Sequence, residues 1–242
     1  MVKLSIVIPA YNEEDRIVRT LEKTVDYLSA QDYSSEVVVV SDGSKDNTVA
    51  VARGYSKEGG PEIRVLEYFP NRGKGCAVQY GMLRAKGERV LFMDADYAVP
   101  IEEIVKPMAV LDKGFDVAIA SRAMTGAVVK ETQNLPRAIS AKVYKIIQRL
   151  VLGISHPDTQ CGFKMFTQKA ARDLFSRQKL HSVIFDPEIL WLARQRGYKV
   201  GEFPVVWSHV EDSRIVYDSL AKSLFVFQEL FRIRKVHGSE KN

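Results

Sequence analysis

Five short apolar runs, each closed by a polar turn and followed by a stretch of helical periodicity, constrain this chain more than any other feature. They lie at residues 4–8, 36–41, 63–67, 89–93 and 116–120. Most are nearly continuous in Val, Ile, Leu, Phe or Ala, as in strands buried on both faces of a parallel sheet, and 63–67 reads as a further strand. Between them, Ile17, Leu21, Val25 and Leu28 repeat at helical spacing, with Asn12 expected to cap that helix. Further helices are expected from Asp46-Asn47-Thr48 to about residue 55, over about 76–85, and over 100–111. Regular strand–helix alternation requires right-handed crossovers and a parallel sheet, so the fold class is α/β with a Rossmann-like architecture.

Where such strands end is where such folds bind ligands. The ends read Pro9-Ala10-Tyr11-Asn12-Glu13, Asp42-Gly43-Ser44, Asp94-Ala95-Asp96 and Ser121-Arg122. In a parallel sheet all four open on one edge. Asp94 and Asp96 would deliver two carboxylates there, suited to a hard divalent cation or, more plainly, to a turn. Neither G-x-G-x-x-G nor G-x-x-x-x-G-K-[ST] occurs, which disfavours a dinucleotide site and a P-loop.

The net charge of +5 and pI near 9.1 suit an anionic partner: a nucleotide, a nucleic acid or a lipid headgroup. The basic residues track apolar helical faces and do not interleave with exposed aromatics, which disfavours nucleic acid. No run approaches the ~18 apolar residues of a membrane span, and the start of the chain lacks a signal-peptide pattern. Cys76 and Cys161 have no partner at zinc spacing, so a reducing, cytoplasmic setting is expected.

After residue 125 the pattern changes. Leu135, Ile139, Val143, Ile146, Ile147 and Leu150 share a helical face among Arg137, Lys142, Lys145 and Arg149. A polar stretch at 156–162 leads into the strand-like Phe163-Lys164-Met165-Phe166, then a helix to about residue 175. Phe185-Asp186-Pro187-Glu188 opens another helix. Residues 200–207 read as a strand with Pro204 at an edge or bulge. The last helix, 218–235, is apolar with Arg232, Arg234 and Lys235 near its end. The 135–151 and 218–235 helices suit a membrane surface, a dimer contact or packing on the domain.

Taken in order, Pro9-Ala10-Tyr11-Asn12-Glu13, Asp42-Gly43-Ser44-Lys45-Asp46, Asn71-Arg72-Gly73-Lys74-Gly75 and Asp94-Ala95-Asp96 resemble glycosyltransferase family 2, inverting enzymes of GT-A fold. Asp158-Thr159-Gln160-Cys161-Gly162-Phe163-Lys164, with Phe185-Asp186-Pro187-Glu188, resembles the branch that glycosylates polyprenyl phosphates. The resemblance implies a catalytic domain over 1–214, with a donor half 1–124, an acceptor half 125–214, and an amphipathic basic helix in 215–242. It implies a nucleotide-sugar donor and Mg²⁺ or Mn²⁺. Pro9, Ala10, Tyr11, Glu13, Asp42, Lys74, Asp94, Ala95, Asp96 and Gln160 would bind the nucleotide sugar. Asp94 and Asp96 would hold the metal. Asp158 and Arg122 would join them as catalytic groups, and Arg122, Arg137 and Arg214 would meet the acceptor phosphate.

The implied reaction moves a hexose, glucose from UDP-glucose or mannose from GDP-mannose, to dolichyl or another polyprenyl phosphate at the cytoplasmic face of a membrane. A phosphate monoester has a second pKa near 6 and is already anionic, so a general base is not chemically required. Asp158 is therefore read as orienting or as a base, both open. The rival class is a non-catalytic nucleotide-sugar binding module.

Overall fold

The structure, a computed structural model, describes residues 2–130, 135–209 and 220–238, with side chains described outside 135–142 and 220–224. Arg214 and the side chain of Arg137 lie outside that description. Seven strands form one sheet: β1 (Leu4–Ala10), β2 (Ser35–Asp42), β3 (Glu62–Tyr68), β4 (Arg89–Met93), β5 (Val117–Ser121), β7 (Phe163–Thr167) and β8 (Val200–Pro204), in the order β3-β2-β1-β4-β7-β5-β8. A separate parallel pair joins β6 (Val128–Val129) to β9 (Val206–Trp207).

All neighbouring strands run parallel except at β7, which is antiparallel to both β4 and β5. The sheet is thus the mostly parallel one that the alternation predicts, with one inversion that it does not. Because β7 runs backwards, its beginning lies at the edge where β1, β2, β4 and β5 end. That brings residues 158–162 to the mouth of the sheet.

Side chains alternate across the pleat. Val7, Val38, Val40, Phe92, Phe166, Phe175 and Phe185 pack in one core layer. It is covered by helices α3 (Lys74–Met82), α6 (Gln168–Arg177) and α7 (Asp186–Gln195). Ile6, Ile8, Val37, Val39, Leu91, Met93 and Phe163 face the other way, against Ile17, Leu21 and Val25 of α1 (Glu14–Ser29) and Leu111 of α4 (Val105–Asp112). Helices α5 (Leu135–Leu152) and α8 (Leu220–Gly238) pack on each other beside the first layer, where Leu230 and Ile233 are buried.

Several boundaries differ from those expected. Asn12 does not cap α1; it has left-handed backbone, φ 54°, and its Oδ1 accepts from the Lys45 amide at 2.8 Å. The turn after β1 is thereby tied to the turn after β2. Asp46 binds both helix starts, accepting from the Glu14 amide at 3.2 Å and the Thr48 amide at 3.0 Å, and α2 is Thr48–Gly54. The expected 100–111 helix is a 3-10 turn, Ile101–Ile104, continued by α4. The expected 200–207 strand breaks at Val205: β8 ends at Pro204 on the outer edge of the sheet, consistent with proline at an edge.

Candidate functional site

Four of the loops named by the sequence meet at one edge of the sheet. Pro9 and Ala10 close β1 and are buried within it, while Tyr11 is 37% exposed. Glu13 makes a two-point ion pair with Arg16, Oε2 to Nε at 2.6 Å and Oε1 to Nη2 at 2.7 Å.

Asp42, at the end of β2, is buried and works as an anchor. Its Oδ1 accepts from the Tyr68 hydroxyl at 2.8 Å and the Arg72 amide at 2.7 Å; its Oδ2 accepts from Asn71 Nδ2 and the Gly73 amide, both at 2.9 Å. A carboxylate offers about four lone-pair positions, and here four donors meet them. Asp42 therefore shapes the 71–73 turn that delivers Lys74. Gly73 has φ 99°, and a Cβ there would stand 2.4 Å from the His181 carbonyl oxygen. Only glycine fits.

Lys74 begins α3 and reaches across to β4, placing Nζ 2.6 Å from Asp94 Oδ1. Burial works against its charge, but Asp94 and then Asp186 more than offset it, and its pKa is raised. Two residues on, burial and the Asp94 charge raise the pKa of Asp96, whose Oδ1 accepts from the Ala98 amide at 3.0 Å. The Ala95 carbonyl between them is held by the buried Thr20 hydroxyl at 2.6 Å. Tyr97 follows with left-handed φ of 58°, a conformation uncommon for a large side chain. The two carboxylates thus sit on a tightly constrained turn beside a lysine.

The start of β7 closes the site from the other side. The Asp94 amide donates to the Gly162 carbonyl at 3.1 Å, and a Cβ on residue 162 would stand 2.0 Å from Asp94 Oδ2. Gly162→Ala is therefore expected to displace the Asp94 carboxylate and lower turnover roughly 100-fold. Steady-state kinetics beside a thermal melt checks this; a folded variant with native turnover contradicts it.

Asp158 and Arg122 form the third group. Arg122 Nε and Nη2 lie 2.7 and 2.9 Å from the two oxygens of Asp158, whose Oδ2 also accepts the Arg122 amide at 3.0 Å and Oδ1 the Gln160 amide at 3.2 Å. Burial opposes the charge on Asp158, but the Arg122 hydrogen bonds and charge prevail and hold its pKa below the usual value. An anion so saturated is a poor proton acceptor, so the geometry favours an orienting role over a base. The guanidinium carbon lies 5.4 Å from the Trp207 ring centroid, and Gln160 Nε2 donates to the Tyr144 hydroxyl at 3.2 Å. Cys161 is buried, its thiol pKa pushed up to about 12 by that burial.

Two charged residues in the heart of this region were not among the expected site residues. Lys164 is 1% exposed in β7, and its Nζ is 2.6 Å from Asp186 Oδ1. The sequence signal was there: one lysine inside an otherwise apolar strand. The motif ending in Lys164 and the one containing Asp186 share a family resemblance, but the ion pair between them, 22 positions apart, appears only in the fold. Among the described residues no three His, Cys, Asp or Glu side chains gather into a metal cluster. The available oxygen pair is Asp94 with Asp96.

Known proteins resemble this chain over most of its length. The family model described as glycosyl transferase family 2 matches residues 5–175. A dolichyl-phosphate beta-glucosyltransferase of Drosophila melanogaster is 39% identical over 225 residues, spanning 88% of this chain and 69% of the relative. The Homo sapiens protein of the same name is 33% identical over 230 residues, spanning 88% and 70%. Among solved structures, glucosyl-3-phosphoglycerate synthase from Mycobacterium tuberculosis in complex with Mn²⁺ and UDP-glucose superposes with a TM-score of 0.67 at 16% identity, covering 96% of this chain and 79% of that one. S. aureus TarS superposes with a TM-score of 0.56 at 17% identity, covering 99% and 74%. At such low identity these two structures establish the shared fold.

Proposed function

As a member of glycosyl transferase family 2, this chain is a glycosyltransferase of GT-A fold, and we propose that it transfers glucose from UDP-glucose to dolichyl phosphate with inversion at the anomeric carbon. The observation that carries the reading is the meeting of Lys74, Asp94 and Asp96 beside the Arg122–Asp158 pair at one sheet edge. Relatives named dolichyl-phosphate beta-glucosyltransferase that match most of the chain support glucosyl transfer to dolichyl phosphate.

The nucleotide sugar lies across the ends of β1, β2 and β4. Tyr11, Glu13 and the turn held by Asp42 line the nucleoside side, with Pro9 and Ala10 setting where that wall begins. Lys74 supplies positive charge near the diphosphate, and Ala95 and Gln160 border the sugar. The donor set fits a hard divalent cation. Asp94 and Asp96 are both carboxylates two residues apart on a constrained turn, and Mg²⁺ or Mn²⁺ takes one or two carboxylates plus substrate phosphates. When bound there, such an ion stabilises negative charge gathering on the departing diphosphate.

The acceptor is a phosphate monoester, already anionic, so it requires orientation and charge compensation more than deprotonation. Asp158 fixes the Arg122 guanidinium through two hydrogen bonds, and a guanidinium so held is suited to phosphate oxygens. Arg137 and Arg214 are further candidates for that phosphate.

The lipid tail calls for a membrane. No helix among the described residues is long and apolar enough to cross one. Helix α5 instead exposes Val143, Ile146 and Leu150 beside Lys145 and Arg149, and α8 exposes Phe225 and Phe231 near Arg232, Arg234 and Lys235. Apolar side chains flanked by bases suit binding in the plane of an anionic surface, here the cytoplasmic one.

The test is a donor panel on vesicles containing dolichyl phosphate and anionic lipid. UDP-glucose is expected to give a lipid-extractable glucoside, and the protein is expected to sediment with the vesicles. Product from GDP-mannose alone would make the enzyme a mannosyltransferase. No product from any donor would favour a binding module.

A further inference from the structure

The pair buried beneath the site, Lys164 with Asp186, is expensive for a protein to keep. Side-chain exposure is 1% and 3%, and well-packed apolar residues in place of such a pair are often neutral or stabilising. The pair's contacts point towards the reaction centre. Lys164 Nζ donates to the Cys161 carbonyl at 2.5 Å and to Asp186 Oδ1 at 2.6 Å, and sits 5.1 Å from the Phe92 ring centroid. Phe92 is two residues before Asp94. The Cys161 carbonyl belongs to the bend whose next residue, Gly162, is in contact with Asp94.

On the other side, Asp186 opens α7. Burial raises its pKa against the pull of Lys164 and then of Lys74, while Asp94 adds to the rise. Two ion pairs thus meet the Cys161–Gly162 bend, Lys74–Asp94 at the proposed donor site and Lys164–Asp186 behind it.

We infer that Lys164 and Asp186 are positioning residues for sugar transfer. Lys164 holds the Cys161–Gly162 bend against Asp94 through the Cys161 carbonyl, and Asp186 holds the Lys164 ammonium on that carbonyl. Together they fix where the Asp94 carboxylate stands. The inference rests on the proposed transferase reading and adds two residues to it that reach the substrate only through others.

The experiment uses the double variant Lys164→Met/Asp186→Leu, assayed with native protein on the same vesicles. Apolar replacement of both partners leaves no stranded charge, so the melting temperature is expected to hold. Turnover is expected to fall roughly 100-fold, mostly in kcat, as when catalytic groups are misplaced by about an ångström. Donor KM changes little, because the nucleoside side at β1 and β2 is untouched. A double variant that melts like the native protein and keeps native kcat overturns the inference. If the double variant does not fold, Asp186→Asn decides: it keeps the volume and an acceptor for Lys164 but removes the charge that holds the Lys164 ammonium on the Cys161 carbonyl. Reduced kcat with little change in KM supports positioning; native kcat overturns it. Turnover in the native protein separates this outcome from failure of the reading itself, whose absence would overturn both.

Discussion

Asp96→Asn is expected to cut sugar transfer by at least about 1,000-fold while the protein melts no lower than the native form. A thousandfold loss corresponds to about 4 kcal/mol of transition-state stabilisation. That is within the several kcal/mol a bound cation supplies to a developing charge. Asparagine keeps the side-chain volume and an oxygen to accept from the Ala98 amide; it removes the negative charge. The stability half of the expectation follows from the sign of the pKa shift. Burial and the neighbouring Asp94 raise the Asp96 pKa, so the fold favours the uncharged form and a neutral amide relieves that conflict. Activity and stability should therefore separate. Calorimetric titration of Mn²⁺ into native and variant protein with UDP present gives a second readout, expected to show weakened uptake. Near-native turnover in the variant would falsify the assignment of Asp96 to the metal and diphosphate.

Asp158→Asn is expected to act on both stability and turnover. Removing one partner of a largely buried ion pair strands the other charge, which costs about 3 kcal/mol or more. Arg122 retains some solvent contact, its side chain being 31% exposed, which places the expected loss near the lower end. The native pair also predicts a pH dependence. The folded-state pKa of Asp158 is depressed, so its contribution is fully present above the unfolded carboxylate value of about 3.9 and is lost as pH falls through the lower folded value. Urea unfolding between roughly pH 3 and 7 should give a shallower acid slope for the variant than for the native protein. Identical slopes would mean that Asp158 does not carry this linkage. In kinetics, loss of the bidentate clamp on Arg122 should raise the acceptor KM. A base role would instead remove the acidic limb from the pH–rate profile and leave the acceptor KM unchanged.

Much of the fold was legible because buried parallel strands have a plain signature. The runs at 4–8, 36–41, 89–93 and 116–120 are too apolar for a solvent-facing strand and too short for a helix, and they became buried sheet strands, while the run at 63–67, which carries Arg64 and Glu67, became the half-exposed edge strand β3. Local capping was less legible. Asn12 has the chemistry of a helix cap, yet its side chain bonds Lys45 across the edge. A short polar side chain takes whichever amide tertiary packing brings near, and spacing along the chain does not reveal which. Asp42 shows the same effect: it looks like a ligand contact or a turn residue, and in the fold it anchors the loop that aims Lys74.

The sequence by itself determined the α/β architecture, the edge at which the site opens and the carboxylates that face it. These follow from periodicity and from the rule that parallel strands all end on one side. What only the tertiary structure decided is everything that depends on β7 running backwards between β4 and β5. That inversion places Asp158 against Arg122 and Gly162 against Asp94, and it puts Lys164 beneath both, beside Asp186. An inserted antiparallel strand leaves no mark in its own sequence. Buried on both sides, it reads as apolar in either direction, and its orientation is chosen by the packing of the whole sheet.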